Sequence, residues 1–136
     1  KKYKSVHLTK RSTKTIFLKI KMENEDAQKA LQCKERGNDY FKNKQYIEAI
    51  EQYDKAITLD PNEASFYANR AACYLGLKKF SNCIADCQET INRKPDFIKA
   101  WKRKARAHFS IGEMEMAKKC YEKAAEIDPS DKSIKD

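Results

Sequence analysis

The sequence predicts an all-α fold built from three tandem helical hairpins, and three observations lead there. Pro61, Pro95 and Pro129 stand 34 residues apart, with the residues around them repeating in register. Each proline closes a string that reads as a helix end (ITLDPNE, NRKPDF, EIDPSD), because a residue without an N–H cannot continue the helix. Only three glycines and three prolines occur in 136 residues, too few for a turn-rich β fold. The 36% charged and 40% hydrophobic residues suit exposed amphipathic helices.

Setting each proline at repeat position 32 gives repeats at 30–63, 64–97 and 98–131. The pattern predicts helices near 25–42, 46–59, 63–76, 80–93, 97–110 and 114–127. The first helix of each pair carries an anchor at position 4 (Cys33, Tyr67, Trp101), a small residue at position 8 (Gly37, Ala71, Ala105) and a ring at position 11 (Tyr40, Tyr74, His108). The second carries small residues at position 20 (Ala49, Cys83, Ala117) and position 27 (Ala56, Thr90, Ala124), with Tyr53, Cys87 and Tyr121 at position 24. Large side chains thus face small ones at helical spacing, which lets antiparallel helices interlock. Gly76 and Gly112 fall at or beside the turns between paired helices. Residues 132–136 read as the start of a C-terminal capping helix they are too few to complete. With the absence of an initial Met, this reads as a piece of a longer protein.

The net charge of +9 is localised. Residues 1–22 hold eight basic residues and no acidic one, while the remaining 114 carry 21 basic and 20 acidic residues. Residues 1–24 form a basic N-terminal segment outside the repeats, read as a linker, a tail or the end of an upstream domain. Within it VHLT and TIFLKI are β-prone and separated by KRSTK, so a hairpin or the last strands of a preceding domain is one reading. A targeting peptide or a nucleic-acid arm is another, and a steep salt dependence abolished by deleting 1–22 would mark the arm. The near-neutral repeats give no reason to expect nucleic-acid binding. No apolar run is long enough to cross a membrane. Cys33, Cys73, Cys83, Cys87 and Cys120 show no C-x-x-C pair and only two histidines accompany them, so zinc spacing is absent. They read as small core residues in a reducing, cytoplasmic setting.

The segments GNDYFKNKQYIEAIEQYDKAITLDPNE and FYANRAACYLGLKKF closely resemble the tetratricopeptide repeat (TPR), and the resemblance covers residues 30–131 within a domain at 25–131. It implies a right-handed superhelix whose first helices line a concave peptide groove. Cys83, Cys87 and Thr90 depart from the repeat pattern.

On those groove helices lie Lys34 and Asn38, then Asn69, then Lys99 and Arg103. The members of each Lys-led pair are four apart and share a face. Asn is a mediocre helix former, and neither asparagine sits at an expected cap. Three cations and two amides suit an extended peptide ending in a free carboxylate, with Arg103 able to fork two N–H groups onto one carboxylate. As KERGN, YANRAACY and KAWKR, these residues match the two-carboxylate clamp of co-chaperone TPR domains. The match implies binding of the C-terminal EEVD tails of the 70-kDa and 90-kDa heat-shock chaperones. The TPR triplets of the Hsp-organising co-chaperone are the most similar overall. The alternatives are a TPR scaffold or targeting receptor with another acidic ligand, or the regulatory domain of a phosphatase whose catalytic part lies elsewhere.

Phe41, Ala72, Gly76, Arg106, Phe109 and Ser110 are candidates for reading the ligand upstream of its terminus. Arg106 either contacts a further acidic residue or pairs with a carboxylate of the protein. Trp101 occupies a packing position and reads as core. His108, with no cysteine or carboxylate partner evident nearby, reads as a core histidine rather than a general base. No nucleophile motif or phosphate cradle occurs, so the chain reads as a monomeric, cofactor-free interaction module and not an enzyme.

Overall fold

The computed structural model describes residues 10–134. Six helices follow in order: α1 (Lys10–Lys42), α2 (Tyr46–Leu59), α3 (Ala64–Gly76), α4 (Phe80–Arg93), α5 (Ile98–Ser110) and α6 (Met114–Ile127). A short 3-10 turn at Lys132–Ile134 completes them, and no strand occurs among the described residues. The expected boundaries hold to within one residue, except at the start of α1. Helices pair as α1/α2, α3/α4 and α5/α6, and the hairpins stack through α2/α3 and α4/α5. Across hairpins α1 meets α3 and α3 meets α5, whereas α2, α4 and α6 make no comparable contact among themselves. The array therefore closes towards the odd-numbered helices, which share its inner surface.

The large-to-small pattern is what closes each hairpin. Ala49, Ala56, Ala71, Cys83, Thr90, Ala105 and Ala124 are all fully buried. A Cβ at Gly37 would lie 2.6 Å from Tyr53 Cε1, so only glycine lets that ring rest against α1. Repeat two has Ala71 in place of that glycine and Cys87 in place of that tyrosine: the added methyl is matched by the lost ring. This accounts for the departure at Cys87 in packing terms. At position 4, the Tyr67 hydroxyl donates to the Pro61 carbonyl at 2.9 Å, and Trp101 Nε1 donates to the Pro95 carbonyl at 2.8 Å. Each ring thus ties down the loop that precedes its own helix, and Trp101 packs on the core as expected.

The turns repeat as strictly as the helices. Lys44 (φ 58°), Lys78 (φ 59°) and Gly112 (φ 84°) occupy the left-handed region at the same repeat position. In each case the next N–H reaches back five residues: Gln45 to Tyr40, Lys79 to Tyr74, and Glu113 to His108, at 2.8–2.9 Å. This is the Schellman closure of a helix C-terminus. Gly76 serves a different purpose. It is the last residue of α3, and a Cβ there would lie 2.6 Å from the Tyr46 ring.

One expectation is overturned. TIFLKI (residues 15–20) is not a strand but part of α1, which runs without a break from Lys10 through residues 24 and 25. VHLT lies outside the described residues. No glycine or proline separates residues 10 and 36, so each residue added to the packed part of α1 gains a backbone hydrogen bond without a new nucleation cost. A strand there would need a partner edge. The extension buries little: Ile16, Phe17, Leu18, Ile20 and Met22 are exposed, and burial begins at Ala30.

The turn geometry gives a direct test. An L-residue in the left-handed region costs about 1 kcal/mol relative to glycine. Lys44→Gly and Lys78→Gly should each stabilise the fold by about 0.5–1 kcal/mol, and Gly112→Ala should destabilise it by about 1 kcal/mol although its surroundings are open. Urea unfolding of the three variants checks this.

Candidate functional site: the groove of α1, α3 and α5

Asn38 on α1 is the hub of a small polar network. Its Oδ1 accepts from the Tyr53 hydroxyl at 2.6 Å and from Asn69 Nδ2 at 3.1 Å. Next to Asn69, the Ala68 carbonyl accepts from Arg103 Nη1 at 2.9 Å. Asn38, Asn69 and Arg103, drawn from three different repeats, are thereby brought to one place. Lys34 and Lys99 stand one helical turn before Asn38 and Arg103 respectively; Lys34 is half-buried and Lys99 exposed.

Helix α5 offers five cations, and the structure sorts them. Lys102 is engaged by Asp131 at 3.0 Å and Ser133 at 2.6 Å, and Lys104 by Gln88 Oε1 at 2.8 Å. Asp131 responds in kind, its carboxyl drawn down to about 2 by hydrogen bonds from Ser133 and Lys102. Lys99, Arg103 and Arg106 enter no ion pair among the described residues. Arg106 is exposed, and the carboxylate partner within the protein that was one reading of it is not found there.

Arg103 is the unusual one. An exposed lysine without a partner is ordinary, but a half-buried guanidinium bonded to one carbonyl and to no carboxylate is not. Burial pulls its pKa below the ordinary arginine value, while the thiols of Cys87, Cys83 and Cys73 and the Tyr53 phenol act in the other direction. An arginine remains cationic throughout the physiological range. Burial pushes the Cys73 thiol up to about 12 and raises the Tyr53 phenol, while the contact between Cys83 and Cys87 raises the Cys87 thiol, with burial adding to it, and lowers that of Cys83. The contrast with Arg70 is sharp. Arg70, also half-buried, is held bidentate by Asp86 at 2.7 and 2.8 Å and by Asp54 at 2.8 Å.

The remaining candidates divide. Phe41, 5.6 Å from the Tyr46 ring, and Gly76, packed on that same ring, gather at the C-terminal ends of α1 and α3. Ala72 is half-buried one turn before Gly76. The Ser110 hydroxyl is spent on the Arg106 carbonyl at 2.8 Å. Phe109 lines a hollow of about 760 Å³ with Met114, Tyr121 and Pro129, on the α6 side, and so is not brought together with the others. His108 is buried as expected, but a carboxylate partner does exist: its Nδ1 lies 3.0 Å from Glu113 Oε1, across the α5–α6 turn. The sequence places Glu113 five residues on, too far for a helical neighbour; only the turn closure brings it back.

All five cysteines are free and buried. Cys83 Sγ and Cys87 Sγ are 4.0 Å apart, about twice a disulfide bond length. Among the described residues no cluster of His, Cys, Asp or Glu could hold a metal ion, and no helix is long and apolar enough to cross a membrane. The residue that sequence patterning missed is Tyr53, which reads as pure packing at position 24. Its hydroxyl is visible only once its contact with Asn38 is known.

Stacked helical hairpins presenting polar side chains on an inner surface define a repeat-built interaction domain. The chain belongs to the tetratricopeptide-repeat family. Residues 37–78 match the family model described as TPR repeat, and residues 98–131 the one described as Tetratricopeptide repeat. It is 43% identical over 104 residues to mouse RNA polymerase II-associated protein 3, covering 76% of this chain and 16% of that protein. It is 40% identical over 105 residues to Saccharomyces cerevisiae heat shock protein STI1, covering 76% of this chain and 18% of that one. The chain thus spans less than a fifth of the length of either relative. Among solved structures, the first TPR of Spaghetti (RPAP3), bound to the HSP90 peptide SRMEEVD, superposes with a TM-score of 0.79 at 38% identity. That match covers 80% of this chain and 86% of that chain. The second TPR domain of human RPAP3, in complex with the HSP70 peptide SGPTIEEVD, gives 0.75 at 31% identity, covering 82% and 91%.

The unpaired guanidinium generates a prediction about the fold itself. Replacing a half-buried cation that has no carboxylate partner with an apolar residue of similar length removes a desolvation cost. Arg103→Met should therefore stabilise the unliganded domain by about 1 kcal/mol, whereas Lys99→Ala should change stability by less than about 0.5 kcal/mol. Thermal unfolding without ligand measures both.

Proposed function

We propose that this domain is a co-chaperone interaction module whose groove binds the C-terminal EEVD tails of the 70-kDa and 90-kDa heat-shock chaperones. The observation that carries the reading is Arg103, a half-buried cation with no carboxylate partner among the described residues, tied to the backbone beside Asn69. An incoming carboxylate supplies what the fold withholds. In this reading Lys34, Asn38 and Asn69 surround the terminal carboxylate, and Lys99 and Arg103 take an acidic side chain near the terminus. Charge-assisted bonds from a guanidinium are the stronger kind and fix the register of the peptide. Arg106, exposed and unpaired one turn beyond Lys102, extends the cationic strip towards residues further upstream. The relatives support the ligand class, since solved domains of the same fold hold peptides ending in EEVD.

Nothing in this mode of binding calls for catalysis, a metal or a cofactor, and the domain acts by capture alone. The free, buried cysteines support a reducing, cytoplasmic setting.

Binding isotherms for peptides carrying the two chaperone tails, measured side by side, test the proposal. Lys99→Ala and Arg103→Ala should each weaken binding by about 1.5–3 kcal/mol, the scale of a lost charge-assisted hydrogen bond. Deleting residues 1–22 should leave the affinity unchanged, which separates a groove from a phosphate-binding arm. Full affinity in the Lys99/Arg103 double variant would exclude the clamp.

A further inference from the structure

We propose that Tyr53 is a positioning residue of the groove: its hydroxyl locks the Asn38 amide so that Asn38 turns only its N–H donors to the ligand, making the site select an ionised terminal carboxylate over a neutral chain end. The inference rests on the clamp reading and adds to it a residue from outside the groove helices.

A carbonyl oxygen has two lone pairs, and Asn38 Oδ1 receives two donors, Tyr53 at 2.6 Å and Asn69 Nδ2 at 3.1 Å. Its acceptor capacity is filled from within the protein. What Asn38 has left to offer is Nδ2 with its two N–H groups. Turning the amide over would set that NH2 against the Asn69 NH2, donor against donor, and would make the buried phenol accept instead of donate, leaving its O–H without the acceptor it has now. A solvent-exposed asparagine shows either end to a ligand at little cost; this one shows a single end. An Asn38 that presents only donors favours a carboxylate, which is acceptor-only, over an amide end that brings N–H groups of its own.

Packing alone does not account for the hydroxyl. Tyr53 is 1% exposed, and its ring fills the space over Gly37, a task phenylalanine would perform without a polar atom to satisfy. The other repeats bear this out. Position 24 is Cys87 in repeat two and a half-buried Tyr121 in repeat three, and the residue matching Asn38 is Ala72 in one and Arg106 in the other. Only the first hairpin combines a glycine that admits the ring, a fully buried tyrosine and an asparagine at its tip. Burial also raises the phenol's pKa, so it remains a proton donor throughout the physiological range.

The test uses the 136-residue chain, an acidic peptide ending in EEVD as free acid and as C-terminal amide, and two variants. The unaltered protein should prefer the free acid about tenfold or more. Tyr53→Phe should weaken the free acid about three- to tenfold while leaving the amide within about twofold, so the preference shrinks. Asn38→Asp keeps an oxygen for Tyr53 and Asn69 but turns a carboxylate oxygen to the groove. It should retain its unfolding temperature and lose more free-acid affinity than Tyr53→Phe does. An undiminished preference in Tyr53→Phe, or equal loss for both peptides, overturns the inference and leaves the clamp standing. Asn38→Asp binding the free acid as well as the unaltered protein also overturns it. Equal binding of the two peptides by the unaltered protein overturns the clamp reading and this inference with it.

Discussion

The contact between Tyr53 and Gly37 joins the fold to the groove. On the packing side it sets the distance between α1 and α2, since a methyl group at residue 37 would drive into the ring at 2.6 Å. On the polar side it delivers a hydroxyl to Asn38 at 2.6 Å, and Asn38 in turn holds Asn69 on α3. Through the Ala68 carbonyl, the neighbour of Asn69, the same chain of bonds reaches Arg103 on α5. One small residue on the first helix therefore governs where donors from three repeats come to rest. Loosening that contact would cost more than core packing, because the groove has no other link between its first and second helices among the side-chain bonds described.

A 34-residue period solves each local problem once and reuses the answer. The left-handed turn recurs at Lys44, Lys78 and Gly112, although only the third has the residue best suited to it. The ring-to-carbonyl tie recurs at Tyr67 and Trp101. A third series crosses between repeats: Arg70 bonds Asp54 and Lys104 bonds Gln88, and both members of each pair shift by one period. Such ties are individually modest, about 1 kcal/mol apiece. Their regularity matters more than their size, since each unit contacts only its neighbours and inherits its orientation from them. That inheritance brings residues 65 positions apart, Asn38 and Arg103, to one place.

Period and residue type made the helices, their order and the groove candidates legible in the sequence, because both are properties of the chain read along its length. What stayed hidden depended on contacts across it. TIFLKI reads as a strand from its β-branched and aromatic content, yet the helix it adjoins propagates through it for want of any break. Gly76 reads as a turn residue by its place near a helix end, but the Tyr46 ring is what requires it. Glu113 stands too far from His108 for a helical pair, and the turn closes that gap. Arg103 and Lys99 look alike in the string KAWKR; burial of the one and exposure of the other separate them.

That last difference bears on how such a groove is kept ready. A fold optimised for its own stability would give Arg103 a carboxylate, as it gives Arg70 two. Leaving the guanidinium half-buried, with a backbone carbonyl as its partner and no carboxylate among the described residues, makes the empty groove less stable than it would otherwise be. In the proposed reading a ligand carboxylate would gain from a cation already fixed in place and already stripped of part of its water, so little ordering or desolvation would remain to be done at the moment of binding. In the proposed reading Lys99, exposed on its flexible stem, would contribute attraction over a longer range but less geometry. The two residues of the Lys-x-x-x-Arg pair are in this view unequal partners. On the proposed reading lysine would draw the acidic chain in, and arginine, held by a backbone carbonyl beside the asparagines, would determine where it stops.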